Sequence, residues 1–138
     1  MRVGDYMTSE IVTANPKDGL RQTFYRMRER GIRHMPVLAD DEAIVGVISD
    51  RDLRRPDWVD DEENVAHYYL LDNAHKVEDA MTCDPWIVEA DASIGNAVDL
   101  VLAHRIGALP VVDAGRKVIG MISAIDMLRA YRESSAGT

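Results

Sequence analysis

The chain has 138 residues, of which 46% are apolar and 29% charged, and its net charge is −8. This composition is typical of a globular protein. The negative charge argues against general binding to nucleic acid or anionic membranes. No stretch reaches the ~20 apolar residues of a membrane helix. The N-terminus lacks a signal-peptide run, which predicts a cytoplasmic location. Cys83 is the only cysteine, which excludes an internal disulfide and a thiolate zinc cluster and leaves its role open between redox switch and inert packing.

An internal duplication organises the chain. A shift of 74 residues aligns 3–55 with 77–129 without a gap, and 12 of the 53 paired positions are identical. We therefore predict a first repeat over 1–55, a linker over 56–76, a second repeat over 77–132 and a short tail over 133–138. Neither repeat covers both faces of its sheet alone, so the two are expected to form one joint module.

The first repeat predicts the order strand, helix, strand, strand, helix. Asp18 is the expected N-cap of the long helix, Gly31 suits its end, and a second helix begins near Asp50. The helix residues that share one apolar face are Leu20, Phe24 and Met27. The predicted strands cover 11–13, 35–38 and 44–49, the last two as a hairpin.

The second repeat predicts the same elements, so the fold class is α/β (α+β), with two β-α-β-β-α repeats. Ser93 is the expected N-cap, Arg105 replaces the glycine at the helix end, and the last helix begins near Ala124. The apolar helix face comprises Ile94, Ala97, Val98, Val101 and Leu102. The predicted strands cover 86–88, 109–112 and 117–123.

The linker has no counterpart in the duplication. It starts with five carboxylates in the seven residues 57–63 and then turns aromatic, which predicts a short helix over about 60–70. His67 and His75 suggest a metal site, but they stand eight residues apart without a third nitrogen or thiolate ligand nearby. Structural or solvated histidines are therefore favoured.

Each hairpin ends in the same polar motif. Residues 46–53 and 120–127 both read Gly, apolar, Ile, Ser, two variable residues, Asp, apolar. A hydroxyl and a carboxylate at a strand-to-helix junction suit a phosphorylated ligand with sugar hydroxyls, because free N–H groups at the helix start attract anions. The alternative is that Ser and Asp only cap the following helix.

The repeated motifs resemble the CBS domain, named after cystathionine beta-synthase. They are Val-x-Asp-x-Met-Thr at 3–8 and 77–82, Ile-x-x-x-Pro-Val at 32–37 and 106–111, and the Ser-x-x-Asp segments. Each motif alone is weak, whereas their order, spacing and duplication are specific. The resemblance covers nearly the whole chain apart from the linker and the tail.

The resemblance implies a CBS pair, or Bateman module, whose repeats pack through their sheets with pseudo-twofold symmetry and two clefts. Such pairs commonly bind AMP, ADP or ATP, and in some members NAD or S-adenosylmethionine. They regulate other proteins, commonly as homodimers. The implied function is a non-catalytic sensor with an adenine nucleotide as regulatory ligand, no obligatory cofactor and no metal, which acts on a partner that the sequence does not name.

The resemblance also places the ligand-binding residues. Asp52 and Asp126 would hold the ribose hydroxyls of two sites, and Ser49 and Ser123 would contact phosphate or the neighbouring ribose. Trp86 is a candidate to stack on adenine, although an aromatic there is at least as often packing. The full candidate set is Ser49, Arg51, Asp52, His34, Ser123, Asp126, Arg33, Thr8, Ile32, Thr82, Ile106 and Gly107.

The two copies differ at their variable positions, which predicts unequal sites. Arg51 can pair with a phosphate, whereas Ile125 at the same position cannot, so the Asp52 site is expected to suit a phosphorylated ligand better. His34 at that site would add pH sensitivity, or is a plain hydrogen-bonded histidine. Arg33 would partly compensate at the Asp126 site if it reached there.

Two other functions remain as alternatives. The chain is a purely structural dimerisation module if bulky residues such as Met7 and Trp86 plug the clefts. An enzyme is disfavoured, because the sequence has no nucleophile–base pair, glycine-rich phosphate loop or metal cluster.

Overall fold

The fold is taken from a computed structural model, which describes residues 1–54 and 74–136. The helix predicted over 60–70 lies outside the described residues. No described helix is long and apolar enough to cross a membrane. The described chain forms two compact units: Val12–Asp84 makes the first-repeat unit, while Met1–Ile11 with Pro85–Thr138 makes the second-repeat unit.

The first-repeat unit contains a three-stranded sheet and, among its described residues, three helices. Its elements are α2 (Leu20–Arg30), β1 (His34–Leu38), β2 (Ile44–Ser49), α3 (Asp50–Arg54), α4 (Val77–Ala80) and β3 (Thr82–Cys83), numbered along the whole chain after α1. The sheet order is β1-β2-β3 with both pairings antiparallel. Its core consists of Ala14, Leu20, Met27, Met35, Val37, Ile48, Leu53 and Val77.

The second-repeat unit has the corresponding elements. They are α1 (Val3–Tyr6), β4 (Val88–Glu89), α5 (Ile94–His104), β5 (Ala108–Val112), β6 (Val118–Ser123) and α6 (Ala124–Ala136). β4 runs parallel to β5, and β5 pairs antiparallel with β6. Its core consists of Val3, Val88, Ile94, Ala97, Leu109, Val111, Ile122, Met127 and Ala130.

The two units exchange their leading segments relative to the sequence repeats. Thr8 precedes the first repeat's sheet in the chain but bridges to Met121 on β6, and Thr82 pairs with Val47 on β2. Gly46 and Gly120 permit this exchange because they carry no side chain. Met81, which precedes Thr82, lies against Gly46, and Met7, which precedes Thr8, lies against Gly120. The sequence motifs therefore mark the repeats, whereas the spatial units cross the boundary between them.

Most predicted elements are present, and the differences have local causes. The strand predicted over 11–13 is wrong: only Ala14 bridges, to Val37. After it, Asn15 receives a hydrogen bond from the Lys17 N–H at 2.9 Å and donates its own N–H to Asp18 at 2.9 Å. These side-chain bonds form a turn that competes with strand pairing.

Two helix details also differ. Gly19, not Asp18, is the N-cap of α2, because Asp18 is used in the preceding turn. Leu102 is 72% exposed rather than buried, since it lies at the margin of the α5 stripe that faces the core. By contrast, Ser93 caps α5 through the N–H of Asn96, as predicted, and Gly31 ends α2 in the left-handed conformation at φ 65°. α6 continues to residue 136, well past the end predicted for the second repeat.

Candidate functional site

The Ser-x-x-Asp motif of the first-repeat unit forms a reciprocal cap at the junction of β2 and α3. The Ser49 N–H donates to Asp52 Oδ2 at 2.9 Å, and the Asp52 N–H donates to Ser49 Oγ at 3.2 Å. This is a capping box, so Ser49 and Asp52 do cap α3. Capping occupies one carboxylate oxygen, and the half-buried Asp52 also has Oδ1 to offer a ligand.

The second-repeat unit repeats this geometry with additional contacts. The Ser123 N–H donates to Asp126 Oδ2 at 2.8 Å, and the Asp126 N–H donates to Ser123 Oγ at 3.3 Å. Here the Ser123 hydroxyl also donates to Asp126 Oδ2 at 3.0 Å, and Arg129 Nη2 lies 3.5 Å from Asp126 Oδ1. Asp126 is only 6% exposed, and described residues contact both oxygens of its carboxylate.

The sheet register brings the residues before each hairpin next to the motif. His34 pairs with Ser49 across β1 and β2, and the Asp50 N–H donates to the Arg33 carbonyl at 2.9 Å. The same bonds place Ile32 close by. One end of the sheet therefore gathers the hydroxyl, the carboxylate and the imidazole that the sequence predicts for the first site.

The equivalent arrangement of the second-repeat unit is less polar. Ala108 pairs with Ser123, and the Ala124 N–H donates to the Gly107 carbonyl at 3.0 Å. Half-buried Ile106 precedes them. The side chains contributed before this hairpin thus offer no charge or hydrogen bond, which leaves Ser123 and Asp126 as its polar groups.

Because the leading segments are exchanged, Thr82 and Thr8 each lie in the unit of the other repeat. Thr82 belongs to the unit that contains Asp52, and Thr8 belongs to the unit that contains Asp126. The Thr8 N–H donates to the Met121 carbonyl at 2.8 Å, and both threonines are exposed. Each unit therefore gathers its own subset of the predicted residues.

Arg33 and Arg51 are both exposed in the first-repeat unit. Arg33 lines a cleft of about 240 Å³ at the end of α2, together with Arg28 and Asp50. Arg28 and Asp50, which line this cleft together, were not among the residues predicted from the sequence. The duplication held a signal for this pair, because the charged Arg28 and Asp50 align with the uncharged Leu102 and Ala124 of the second repeat.

Trp86 has a neighbour that the sequence did not indicate. Its indole is 51% exposed and stacks on the ring of His104, with centroids 3.9 Å apart and planes 11° from parallel. An adenine that stacked on Trp86 would use the opposite face of the indole or displace this imidazole. Met7 packs at the core of its own unit, beside Gly120.

His34 has a perturbed pKa. Burial lowers the pKa of its imidazole below the ordinary value of 6.5, and the opposing attraction of Asp50 and Asp52 is smaller. A phosphate placed against His34 would favour the protonated form and raise this pKa. The site is therefore able to couple anion binding to proton uptake.

The pH dependence of stability follows from His34. Because the pKa is lower in the folded state, the unfolded state binds more protons as the pH falls below about 6.5, so the folded state loses stability there. We expect the free energy of unfolding to fall between about pH 7.5 and 5.5, and to fall less in His34→Gln. Urea unfolding at both values measures this. An unchanged pH slope in His34→Gln would contradict the assignment.

Among the residues that the structure describes, no three or more His, Cys, Asp or Glu side chains converge as a metal site. His67 lies outside the described residues, so the histidine pair of the linker stays untested.

Comparison with known proteins gives a consistent result. The family model of the CBS domain matches residues 3–56 and 77–133. Inosine-5'-monophosphate dehydrogenase of Methanocaldococcus jannaschii is 26% identical over 98% of this chain. The chain spans only 24% of that relative's length, so the similarity concerns one part of the larger protein.

Two solved structures match nearly the whole chain. CBSX2 of Arabidopsis thaliana, crystallised in complex with AMP, has a TM-score of 0.77 at 29% identity and aligns over 97% of this chain and 98% of its own. The CBS domain pair of protein MJ0100, in complex with 5-methylthioadenosine and S-adenosyl-L-methionine, has a TM-score of 0.79 at 19% identity, over 97% and 98% of the two chains. The latter similarity establishes the fold alone.

Proposed function

The chain belongs to the CBS-domain family as a tandem pair, and from this premise we propose that it is a non-catalytic sensor that binds an adenine nucleotide. Occupancy of the site would favour one conformation of the protein, which a regulated partner then recognises. Assembly as a homodimer and a cytoplasmic location belong to the same proposal.

The observation that carries the proposal is the Ser-x-x-Asp geometry, which occurs in both units. A carboxylate held by its own helix cap has a fixed position, and its second oxygen can accept hydrogen bonds from the vicinal hydroxyls of a ribose. In the first-repeat unit, the Ser49 hydroxyl lies beside it for a phosphate or the neighbouring ribose. We assign the ribose to Asp52 and, at the second site, to Asp126.

The comparisons support the class of ligand. CBSX2 is described in complex with AMP and aligns over 97% of this chain at 29% identity. Because the ligand of CBSX2 is AMP, we rank AMP first for this chain. ADP and ATP come next, because Arg51 adds a cation near the start of α3 that suits a phosphate chain. NAD and S-adenosylmethionine share the adenosine group and remain ligands for the test to compare.

The remaining predicted residues complete this proposal as side chains of the two sites. His34, Ile32, Arg33 and Thr82 would line the Asp52 site, whereas Ile106, Gly107 and Thr8 would line the Asp126 site. We infer unequal affinities, with the first site the stronger, because the second has no cation at the position of Arg51.

Calorimetric titration tests the proposal. We expect AMP, ADP or ATP to bind saturably, with GTP as the control for the base and ribose 5-phosphate as the control for the sugar. Proton uptake, measured as a dependence of the heat on the ionisation enthalpy of the buffer, should accompany binding of a phosphate against His34. Failure of AMP, ADP, ATP, NAD and S-adenosylmethionine to bind would refute the nucleotide proposal.

One observation favours a second function, a structural module without a ligand. Asp126 already contacts Ser123 and Arg129, as in a site closed by its own side chains. In that case no nucleotide would bind and the Asp126→Ala substitution would change stability alone. The same titration therefore separates the two functions.

A further inference from the structure

A groove of about 550 Å³ lies between α5 and β4, the edge strand of its sheet, in the second-repeat unit. The less exposed residues that line it are apolar, among them Ile87, Val88 and Leu100. Glu89 and Asp99 add two exposed carboxylates, and neither forms an ion pair or a side-chain hydrogen bond with another described residue. The groove is therefore apolar within and negatively charged at its surface.

In the first-repeat unit, the unit's own arginine occupies the corresponding place. Arg26 Nη1 donates to the Thr13 carbonyl at 2.9 Å and lies 3.5 Å from Asp18 Oδ2. The half-buried guanidinium thus connects α2 to the segment that precedes it, through a backbone carbonyl and a carboxylate. The fold therefore contains one example of how a guanidinium is held at this position.

The second repeat lacks all three members of this bridge. The replacements all line the groove, and they are Leu100 for Arg26, Ile87 for Thr13 and Ala92 for Asp18. Leucine has no hydrogen-bond donor in its side chain, and alanine has no carboxylate. The groove is therefore the space that a guanidinium fills in the other unit.

The backbone around this space corresponds in the two units. The helices α2 and α5 begin and end at equivalent residues of the duplication. The parallel bridge of Ala14 to Val37 recurs as the parallel pair of Val88 and Val111. The carbonyl of Ile87 therefore takes the position of the carbonyl that accepts the guanidinium in the first-repeat unit.

We propose that this groove binds an arginine side chain of a partner protein, carried by an extended segment with apolar neighbours. The guanidinium donates to the Ile87 carbonyl, as Arg26 donates in the first-repeat unit, and Glu89 and Asp99 supply the negative charge. The methylene groups of the arginine lie along the apolar lining, and the extended segment follows the edge strand β4. Two carboxylates on a chain of net charge −8 favour a cationic segment over an acidic one.

A partner on this groove is the regulated protein of the proposed function, so the inference rests on that function, although binding itself requires no nucleotide. The test is a titration of the isotope-labelled chain with acetyl-Gly-Val-Arg-Val-Gly-amide, followed through amide chemical shifts without nucleotide. We expect saturable shifts at Val88 and Leu100. The same peptide with citrulline in place of arginine should bind about 10-fold more weakly or worse, because citrulline keeps the shape and lacks the charge.

A variant that fills the groove from within makes the test specific. Ala92→Asp/Leu100→Arg restores the bridge of the first repeat, whose unit folds with these residues, and should weaken peptide binding about 10-fold or more because its own guanidinium competes. Leu100→Met, which keeps an uncharged side chain of similar volume, is the matched control and should bind within about threefold of wild type.

A second variant tests the charge alone. Glu89→Gln/Asp99→Asn changes two exposed side chains, so it is expected to fold and to weaken the arginine peptide about 10-fold while it leaves the citrulline peptide unchanged. Circular dichroism checks the fold of every variant. This pair decides the outcome if Ala92→Asp/Leu100→Arg does not fold.

Several results would overturn the inference. They are equal binding of the two peptides, absence of shifts at Val88 and Leu100 up to about 10 mM peptide, and wild-type affinity in the folded variants. If Ala92→Asp/Leu100→Arg instead lowers the oligomeric state in sedimentation velocity, the occupant is a second copy of this chain and not a partner protein. AMP titration of the same protein separates the two proposals, because a chain that binds the arginine peptide and no nucleotide refutes only the proposed ligand.

Discussion

Substitution of Gly120 with alanine is expected to lower the free energy of unfolding by about 1–3 kcal/mol, as overpacking of a filled core does. A Cβ at this position would lie 2.7 Å from Met7 Sδ and 2.8 Å from the Thr8 carbonyl oxygen. The thioether can turn aside, but the carbonyl cannot, because it accepts a hydrogen bond from the Met121 N–H at 3.0 Å. Relief of the clash therefore requires the leading segment to move away from β6.

Urea unfolding gives the stability change, and amide hydrogen exchange shows where it arises. The Thr8 N–H, bonded to Met121, should exchange faster in Gly120→Ala. Gly46→Ala should act alike in the first-repeat unit, since its Cβ would lie 2.7 Å from Met81 Sδ and 2.9 Å from the Thr82 carbonyl oxygen.

Gly95 provides a control with the opposite sign. It lies in α5, where the nearest atom to an added Cβ is Ser93 Oγ at 3.7 Å, so Gly95→Ala should raise the free energy of unfolding by up to about 1 kcal/mol. Wild-type stability in both Gly120→Ala and Gly46→Ala would contradict the exchange of segments between the repeats.

The exchange itself was not predicted from the sequence. Apolar periodicity indicated α2, α5 and both hairpins, because those elements bury one face against their neighbours. The residues 3–8 and 77–82 are too short for periodicity to appear, and no local pattern states which of two similar sheets a segment joins. Gly46 and Gly120 held the relevant signal, since an invariant pair within a duplicated strand marks close approach of another chain segment.

The candidate site was predictable in position but not in detail. The duplication indicated that Ser49 and Asp52 act as a pair, because the same spacing recurs in the second repeat. The structure confirms that they cap α3. The second contact of Asp126, with Arg129, depended on a side-chain conformation that the sequence does not specify. Arg55, at the equivalent position of the first repeat, lies outside the described residues.

The difference between Arg51 and Ile125 has two interpretations that the structure allows to be separated. The sequence suggested that it selects a phosphorylated ligand for the first site. Ile125 and Leu128 are both exposed on α6, so the same difference also determines which helix has an exposed apolar face. An Arg51→Ile variant that loses affinity for ATP more than for AMP would assign phosphate contact to Arg51, whereas equal losses would leave only the surface role.

Substitution of Asp52 with alanine is expected to raise the dissociation constant of the nucleotide about 10- to 100-fold. Hydrogen bonds to a charged group contribute about 1.5–3 kcal/mol each, and a tenfold change in affinity corresponds to about 1.4 kcal/mol. Asp126→Ala should change the stronger binding event less than about threefold, because Asp126 belongs to the second, weaker site in the other unit. Calorimetric titration of both variants with AMP measures the difference.

The cap that Asp52 forms requires its own control, since alanine removes the cap together with any ligand contact. Asp79 accepts the Lys76 N–H at 2.9 Å in the same unit, as Asp52 accepts that of Ser49 at 2.9 Å, and it has no assigned ligand. Asp79→Ala should therefore lose a similar stability, about 0.5–2 kcal/mol, yet bind AMP as the wild type does. If both variants lose affinity alike, the loss arises from destabilisation of the unit. If Asp52→Ala alone loses affinity, destabilisation is excluded as the cause, because the two substitutions remove equivalent capping bonds, one from α3 and one from α4.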